Sequence, residues 1–387
     1  MPATLDLYKM YETLTTEEQQ IWQAAQNFVD KEFMPIISAH HRDATFPVEL
    51  IPKLGKLGFL GSQLPEEYGC AGINNRAYGL IMQELERGDS ALRSVASVQG
   101  ALVMYPIWRY GSQQQKEHWL PQLAAGEKVG CFGLTEPDFG SNPAGMLTNA
   151  KPHKDGFLLN GSKMWITNGN IADVAVVWAK LDGKVHGFLV PKDTPGFTAT
   201  EIKGKFSLRA SITSELSFND CFIPKENMLP EAQGLKAPLS CLSQARYGIA
   251  WGAIGSALAT YHCALDYSKT RIQFDKPIAS FQLIQQQLVE MASDITHAQL
   301  LAFRLAELKD QKQVRPAMIS LAKRNNVRMA LNTARTARNI LAANGIVDEY
   351  PIMRHMMNLE TVITYEGTHE VHTLILGQHL TGVSAFE

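Results

Sequence analysis

FLLNGSKMWIT, residues 157–167, reads as a β-strand: apolar and β-branched residues, interrupted once by Asn160-Gly161. It has company on both sides. VGCFGLT (129–135) precedes it, and VAVVWAK (174–180), VHGFLVP (185–191) and SELSFNDCFIP (214–224) follow. Asp155-Gly156, Asn160-Gly161 and Asp182-Gly183 supply positive-φ turn positions between such runs, while Pro191, Pro195 and Pro224 limit strand ends. A β module is expected over 128–237.

The texture changes on either side of this module. Upstream, Leu14 precedes a Thr15-x-x-Glu18 capping box, and Ile21, Ala25, Phe28 and Val29 recur at helical spacing. Further helices are expected over 47–58, 75–87, 90–110 and 112–124, with Pro35, Pro47, Pro52 and Pro121 marking breaks or first turns. Downstream, helical periodicity runs over 240–269, 279–310 and 315–342, with shorter helices after them. Such lengths suit an antiparallel bundle. The fold class is α+β: an N-terminal helical domain (1–127), a middle β domain (128–237) and a C-terminal helical bundle (238–387).

The chain has 387 residues, 45% hydrophobic and 19% charged, and a formal charge of −2. Such balance provides no basic field for nucleic acid or anionic lipid, and no apolar run approaches the roughly 18 residues of a membrane span. Cys70, Cys131, Cys221, Cys241 and Cys263 form no CxxC pair, so a reducing compartment is expected. MPATLDLYKMYETLTTEEQQ has neither the apolar core of a signal peptide nor the arginines of a transit peptide, giving a cytoplasmic expectation.

Four segments have the composition of a site. TYEGTHE (364–370) places Glu366 in a turn, since Gly367 permits an unusual backbone angle, Thr368 is suited to N-cap a helix, and Val371, Leu374 and Ile375 share a helical face. Burial would raise the pKa of that carboxyl and the helix N-terminus would lower it. CFGLTEPDFGSN (131–142) runs from a strand into a Pro- and Gly-rich loop, also the composition of an ordinary surface turn. ELERGDSALRSVASV (84–98) reads as two charged helices broken at Gly88-Asp89. RIQFDKPIASFQ (271–282) starts or interrupts helices of the bundle. No G-x-G-x-x-G occurs, which argues against a Rossmann dinucleotide site. His369 and His372 are spaced i, i+3 without a third ligand, so no metal is assigned.

Together these segments resemble the acyl-CoA dehydrogenase family over essentially the whole chain, and its glutaryl-CoA branch most closely, which implies that the middle β domain is a β-barrel and the C-terminal domain a four-helix bundle. The resemblance implies that Glu366 removes the α-proton of an acyl thioester while hydride passes from the β-carbon to FAD. It places Phe132, Leu134, Thr135, Ser141, Trp165, Thr167 and Thr368 beside the flavin, with Arg271, Gln282, Ala342 and Ala343 reaching the FAD of a neighbouring subunit in a homotetramer. Without that resemblance, Trp165 would be expected to pack in the core. Arg93 matches the residue that pairs with the distal carboxylate of a dicarboxylyl substrate, and a monocarboxylic chain would leave it an unpaired buried charge. Glu86, Ser97 and Tyr365 complete that polar end. Ser94, Ser141, Arg246, Gly367 and Phe386 match substrate- or CoA-proximal positions, and Ala245 replaces an alternative family base.

The implied reaction converts glutaryl-CoA to crotonyl-CoA and carbon dioxide, with electrons passed to electron transfer flavoprotein, in lysine and tryptophan degradation. Three departures bear on it: Ala342-Ala343 replaces two usual glycines, Asp275 a glycine, and Asn142 an aspartate. Alternatives are a dehydrogenase or oxidase of another short-chain or dicarboxylyl-CoA, and a flavin-poor acyl-CoA-binding protein.

Overall fold

The computed structural model describes residues 5–386. Its first part is helical: α1 (Thr16–Phe28), α2 (Met34–Asp43), α3 (Ile51–Lys56), α4 (Asn75–Gly88), α5 (Ser90–Ser97), α6 (Tyr105–Tyr110) and α7 (Gln113–Ala124). The capping box starts α1 as expected. Thr15 Oγ1 accepts from the Glu18 N–H, and Glu18 Oε2 accepts from the Thr15 N–H. The continuous helix expected over 90–110 is instead divided, because a π-helical stretch, Val98–Met104, separates α5 from α6. The break at Gly88-Asp89 is real: Asp89 is extended, and its Oδ1 accepts the Ala91 N–H at the start of α5.

Eight strands follow: β1 (Gly130–Gly133), β2 (Asn149–His153), β3 (Gly156–Thr167), β4 (Val174–Leu181), β5 (Lys184–Pro191), β6 (Phe197–Glu201), β7 (Thr213–Pro224) and β8 (Met228–Gln233). They form one mixed sheet in the order β6-β7-β3-β2-β4-β5-β8, with β1 parallel to β4. Because β6 and β8 end that path, no ladder among the described residues closes the barrel. Asp182 and Gly183 both take positive φ in the β4–β5 turn, as expected. Between β2 and β3 the positive φ falls on Lys154 rather than Gly156, and Asn160-Gly161 is a bulge within β3, not a turn. Gly161 takes φ +138° in this bulge, a backbone angle that glycine adopts as readily in a bulge as in a turn.

The chain ends in α8 (Lys236–Thr270), a small hairpin of β9 (Ile272–Gln273) and β10 (Lys276–Pro277), then α9 (Gln282–Asp310), α10 (Pro316–Leu341), α11 (Ile352–Val362) and α12 (His369–Thr381). No helix among them, or elsewhere in the described residues, is long and apolar enough to cross a membrane. One apolar cluster runs from α1 and α4 through α8, α9 and α10, including Leu80, Ile81, Trp251, Ile254 and Ile295. Each such side chain contributes roughly 1.5–3 kcal/mol on burial. The α4–α8 crossing is tight enough that a Cβ at Gly79 would enter the Trp251 ring and one at Gly255 would strike the Gln83 carbonyl. This close approach sets the polar edge of α4 against α8. Asn326 Nδ2 ties α10 to both neighbours, donating to Ala250 O at 2.8 Å and Ala298 O at 3.4 Å.

Candidate active site

Glu366 lies in the turn between α11 and α12, as its sequence context predicts. The Tyr365 N–H still bonds to Thr361 O at 2.9 Å, after which Glu366 and Gly367 adopt φ of +52° and +93°. Thr368 Oγ1 accepts the Val371 N–H and opens α12. A non-glycine residue in the left-handed region costs about 1–3 kcal/mol unless its surroundings impose it. Here two cationic side chains hold the turn. Arg246 Nε, from α8, donates to Glu366 O at 2.6 Å. Lys323 Nζ, from α10, donates to Tyr365 O at 3.0 Å and Gly367 O at 2.8 Å. A Cβ at Gly367 would lie 3.1 Å from both Arg246 Nη2 and His372 Nε2, so this position suits glycine sterically as well as conformationally.

The carboxylate itself is left bare. Its Oε2 is buried without a hydrogen-bond partner. Burial pushes the Glu366 pKa up, and Arg93, Arg246 and Lys323 draw it only part of the way back. The opposing influence is therefore three cations from α5, α8 and α10, where the sequence suggested the helix N-terminus. Lys323 is driven down to about 7, first by burial and against the pull of Glu366. Burial, then Lys323 and Arg246, push His372 down to about 3, and neither of its ring nitrogens has a partner. Tyr78, from α4, adds a buried hydroxyl without a partner that senses both Arg93 and Glu366.

Beside this turn lies a polar end built from α4 and α5. Arg93 and Glu86 are 1% and 0% exposed, and Arg93 Nε donates to Glu86 Oε2 at 2.6 Å. Ser90 Oγ donates to Glu86 Oε1 at 2.8 Å. Arg93 Nη2 donates to the Tyr365 hydroxyl, which lies 3.4 Å from Ser94 Oγ. Ser97 Oγ is buried without a partner. This corrects the expectation that Arg93 would be unpaired without a substrate carboxylate, because Glu86 already neutralises it. The α5 frame is fastened to α11 through Asp89 Oδ2, which accepts from Arg354 Nη1 at 2.6 Å and Asn358 Nδ2 at 2.9 Å.

A second group of expected residues lies on the β module. Phe132 and Leu134 are buried in the cluster containing Trp178, Thr135 and Thr167 are half-buried, and Ser141 is exposed. Trp165 is not in the core: at a register shift in β3 it takes φ +63°, and its side chain is 60% exposed. Glu136 pins the loop that carries Ser141, accepting from the Leu147 N–H at 2.6 Å, the Thr148 N–H at 2.9 Å and Lys163 Nζ at 2.8 Å. Arg271, Gln282, Ala342 and Ala343 are exposed at a third place. Asn344 Nδ2 bonds there to the Tyr267 hydroxyl, four residues before Arg271. No hydrogen bond among the described residues joins this group or the exposed Phe386 to the Glu366 cluster.

Lys323, Tyr78 and Glu136 were not singled out by sequence, and His372 was weighed only as half of a metal pair. For Lys323 a signal existed, since it falls in line with Ile319 and Val327 on the buried stripe of α10, where a lysine requires a reason.

Three matches follow the chain in order: the N-terminal domain of acyl-CoA dehydrogenases over residues 15–127, the middle domain over 131–221 and the C-terminal domain over 232–381. The human mitochondrial short-chain specific acyl-CoA dehydrogenase is 36% identical over 386 residues, covering 98% of this chain and 94% of that protein. The chain belongs to the acyl-CoA dehydrogenase family. Among solved structures, a glutaryl-CoA dehydrogenase from Mycobacterium smegmatis in complex with FADH2 is 51% identical, covers 99% of both chains and superposes with a TM-score of 0.98. A glutaryl-CoA dehydrogenase in complex with glutaryl-CoA is 33% identical, covers 96% of both chains and gives a TM-score of 0.92.

FAD is accordingly the cofactor of this acyl-CoA dehydrogenase. The residues present fit it, since Trp165 offers an indole face that no core covers, next to the half-buried hydroxyl of Thr167. The departures from the family pattern also acquire a physical meaning. Ala342 and Asp275 stand at φ +51° and +62°, positions where glycine is unstrained.

Proposed function

We propose that this acyl-CoA dehydrogenase oxidises glutaryl-CoA and releases crotonyl-CoA and carbon dioxide. The observation that carries this reading is Arg93, a buried guanidinium joined through the Tyr365 hydroxyl to the turn that presents Glu366. A fixed cation beside the base suits a short acyl chain that ends in a carboxylate. The 51% identical structure, a glutaryl-CoA dehydrogenase, points the same way.

Glu366 takes the α-proton, for which its buried, partnerless Oε2 is suited. When bound, FAD supplies the acceptor for the hydride leaving the β-carbon. Backbone N–H groups of the Glu366 turn are proposed to donate to the thioester oxygen as negative charge develops there. Loss of the distal carboxylate as carbon dioxide from the resulting enoyl thioester leaves a dienolate. Protonated Glu366 returns its proton to the terminal carbon, giving crotonyl-CoA. Ser94, Ser97, Glu86 and Tyr365 are proposed to fix the polar end, with Ser141, Arg246, Gly367 and Phe386 along the acyl-CoA. Phe132, Leu134, Thr135, Ser141, Trp165, Thr167 and Thr368 are proposed to hold the flavin of their own subunit. We assign Arg271, Gln282, Ala342 and Ala343 to the flavin of a neighbour in a homotetramer, which accounts for their separation from Glu366. Electron transfer flavoprotein is the proposed acceptor.

A short-chain monocarboxylyl substrate is the second reading. It is favoured by the Glu86–Arg93 pair, which needs no substrate charge to be neutral, and by the human relative's short-chain specificity. Anaerobic mixing with glutaryl-CoA and, separately, butyryl-CoA distinguishes the two. Flavin bleaching with crotonyl-CoA formed from glutaryl-CoA supports the proposal; bleaching by butyryl-CoA alone overturns it.

A further inference from the structure

Lys323 has a role that the reaction scheme leaves unassigned. It is 1% exposed, and among the described residues it forms no ion pair. A buried ammonium without a contacting carboxylate is costly, and an apolar side chain of similar size would commonly stabilise the helix packing better. Its position on α10 therefore requires a compensating function. Its two hydrogen bonds go to Tyr365 O and Gly367 O, the carbonyls on either side of Glu366. Gripping both flanking residues restricts rotation about the Glu366 backbone, and so fixes the direction of its Cα–Cβ bond.

The other ionisable groups around the carboxyl do something else. Tyr78 and Glu86 face the site from α4, Arg93 from α5, Arg246 from α8, His369, Glu370 and His372 from α12, and Tyr365 from the turn itself. Arg93 is engaged by Glu86, and Arg246 contacts the Glu366 carbonyl alone. Among the described residues, only Lys323 hydrogen-bonds to both residues that flank the base.

We propose that Lys323 is the positioning residue of the catalytic turn: its paired hydrogen bonds aim Glu366, and its charge favours the ionised carboxylate in a desolvated site. This rests on Glu366 being the base.

The test uses the full FAD-loaded chain carrying Lys323→Met, Lys323→Arg or Glu366→Gln, with kcat, KM and the pH profile of kcat/KM read for glutaryl-CoA and butyryl-CoA. Bound flavin and the thermal midpoint are measured alongside. Lys323→Met is expected to lower kcat by roughly tenfold to a hundredfold, the scale of an ångström-level misplacement, with little change in KM. Its acid limb moves to higher pH, because a cation that favoured the carboxylate is gone. Lys323→Arg keeps the limb in place and recovers part of kcat. Wild-type kcat and an unmoved limb in Lys323→Met overturn the proposal, as does a loss that merely tracks lost flavin or folded protein. Should Lys323→Met fail to fold, Lys323→Arg decides: a lowered kcat with an unmoved limb supports positioning, and wild-type kcat overturns it. An active Glu366→Gln would instead remove the base assignment; an inert Glu366→Gln with unaffected Lys323 variants removes the positioning role alone.

Discussion

Glu136 on the β module and Glu366 between the last two helices are both carboxylates set among buried cations, yet their surroundings drive them in opposite directions. Burial pushes Glu136 up, but hydrogen bonds from the Leu147 N–H, Lys163 and the Thr148 N–H outweigh it and hold its pKa below the ordinary carboxylate value. Glu366 has three cations nearby, and still burial wins. The difference is contact. Lys163 touches the Glu136 carboxylate, whereas Lys323 and Arg246 spend their donors on carbonyls of the Glu366 turn. Hydrogen bonds to the charged form stabilise it more effectively than charge at a distance. One carboxylate is thereby committed to structure, and the other is left free to exchange a proton.

The most severe way to break this contrast is Glu366→Gln. Turnover of glutaryl-CoA should fall by about 10²–10⁴-fold, the usual contribution of a general base, with flavin retained; stopped-flow absorbance reads both. Glu136→Gln should act on stability instead. Leaving Lys163 buried and unpaired costs about 3–5 kcal/mol, measured by denaturant unfolding.

A third buried carboxylate, Glu86, sharpens the comparison because its cation is shared with the proposed substrate. Arg93→Met should lower kcat/KM for glutaryl-CoA by roughly tenfold to a hundredfold, as expected for losing a charge-assisted hydrogen bond of about 1.5–3 kcal/mol. Butyryl-CoA should be affected far less, and parallel rate measurements on the two substrates check the difference.

The smallest effect concerns stability and pH. Because the Glu136 pKa is lowered on folding, its stabilisation is present above the unfolded value and is lost as pH falls through the folded one. For Glu366 the folded pKa is raised, so the native state binds the proton more tightly and stability declines as pH rises from the ordinary 4.5 through the folded value. At neutral pH, Glu366→Gln should therefore melt higher than wild type, by an amount equivalent to about 0.5–2 kcal/mol. Calorimetry on both variants should show opposite signs.

Local features were legible in the sequence. The Thr15–Glu18 capping box, the break at Gly88-Asp89, the turn at Glu366 and the cap at Thr368 depend on residues within a few positions of one another. Long-range partners were not. Lys163 meets Glu136 across 27 positions, and Lys323 meets Gly367 across 44, distances at which no periodicity operates. Glu86 and Arg93 are seven apart but on different helices, so their pairing depends on the angle at Gly88-Asp89. The π-helical stretch at Val98–Met104 likewise follows from packing, since its residues are buried throughout and a Cβ at Gly100 would lie 3.0 Å from Gly61 N.

The central claim is that Glu366 is a buried carboxyl kept ready to take a proton. Infrared difference spectra between wild type and Glu366→Gln, recorded along a pH titration of the flavin-loaded enzyme, isolate its carboxylic acid band. The account predicts a band that persists above the ordinary value of 4.5. A band that disappears at or below that value would contradict it.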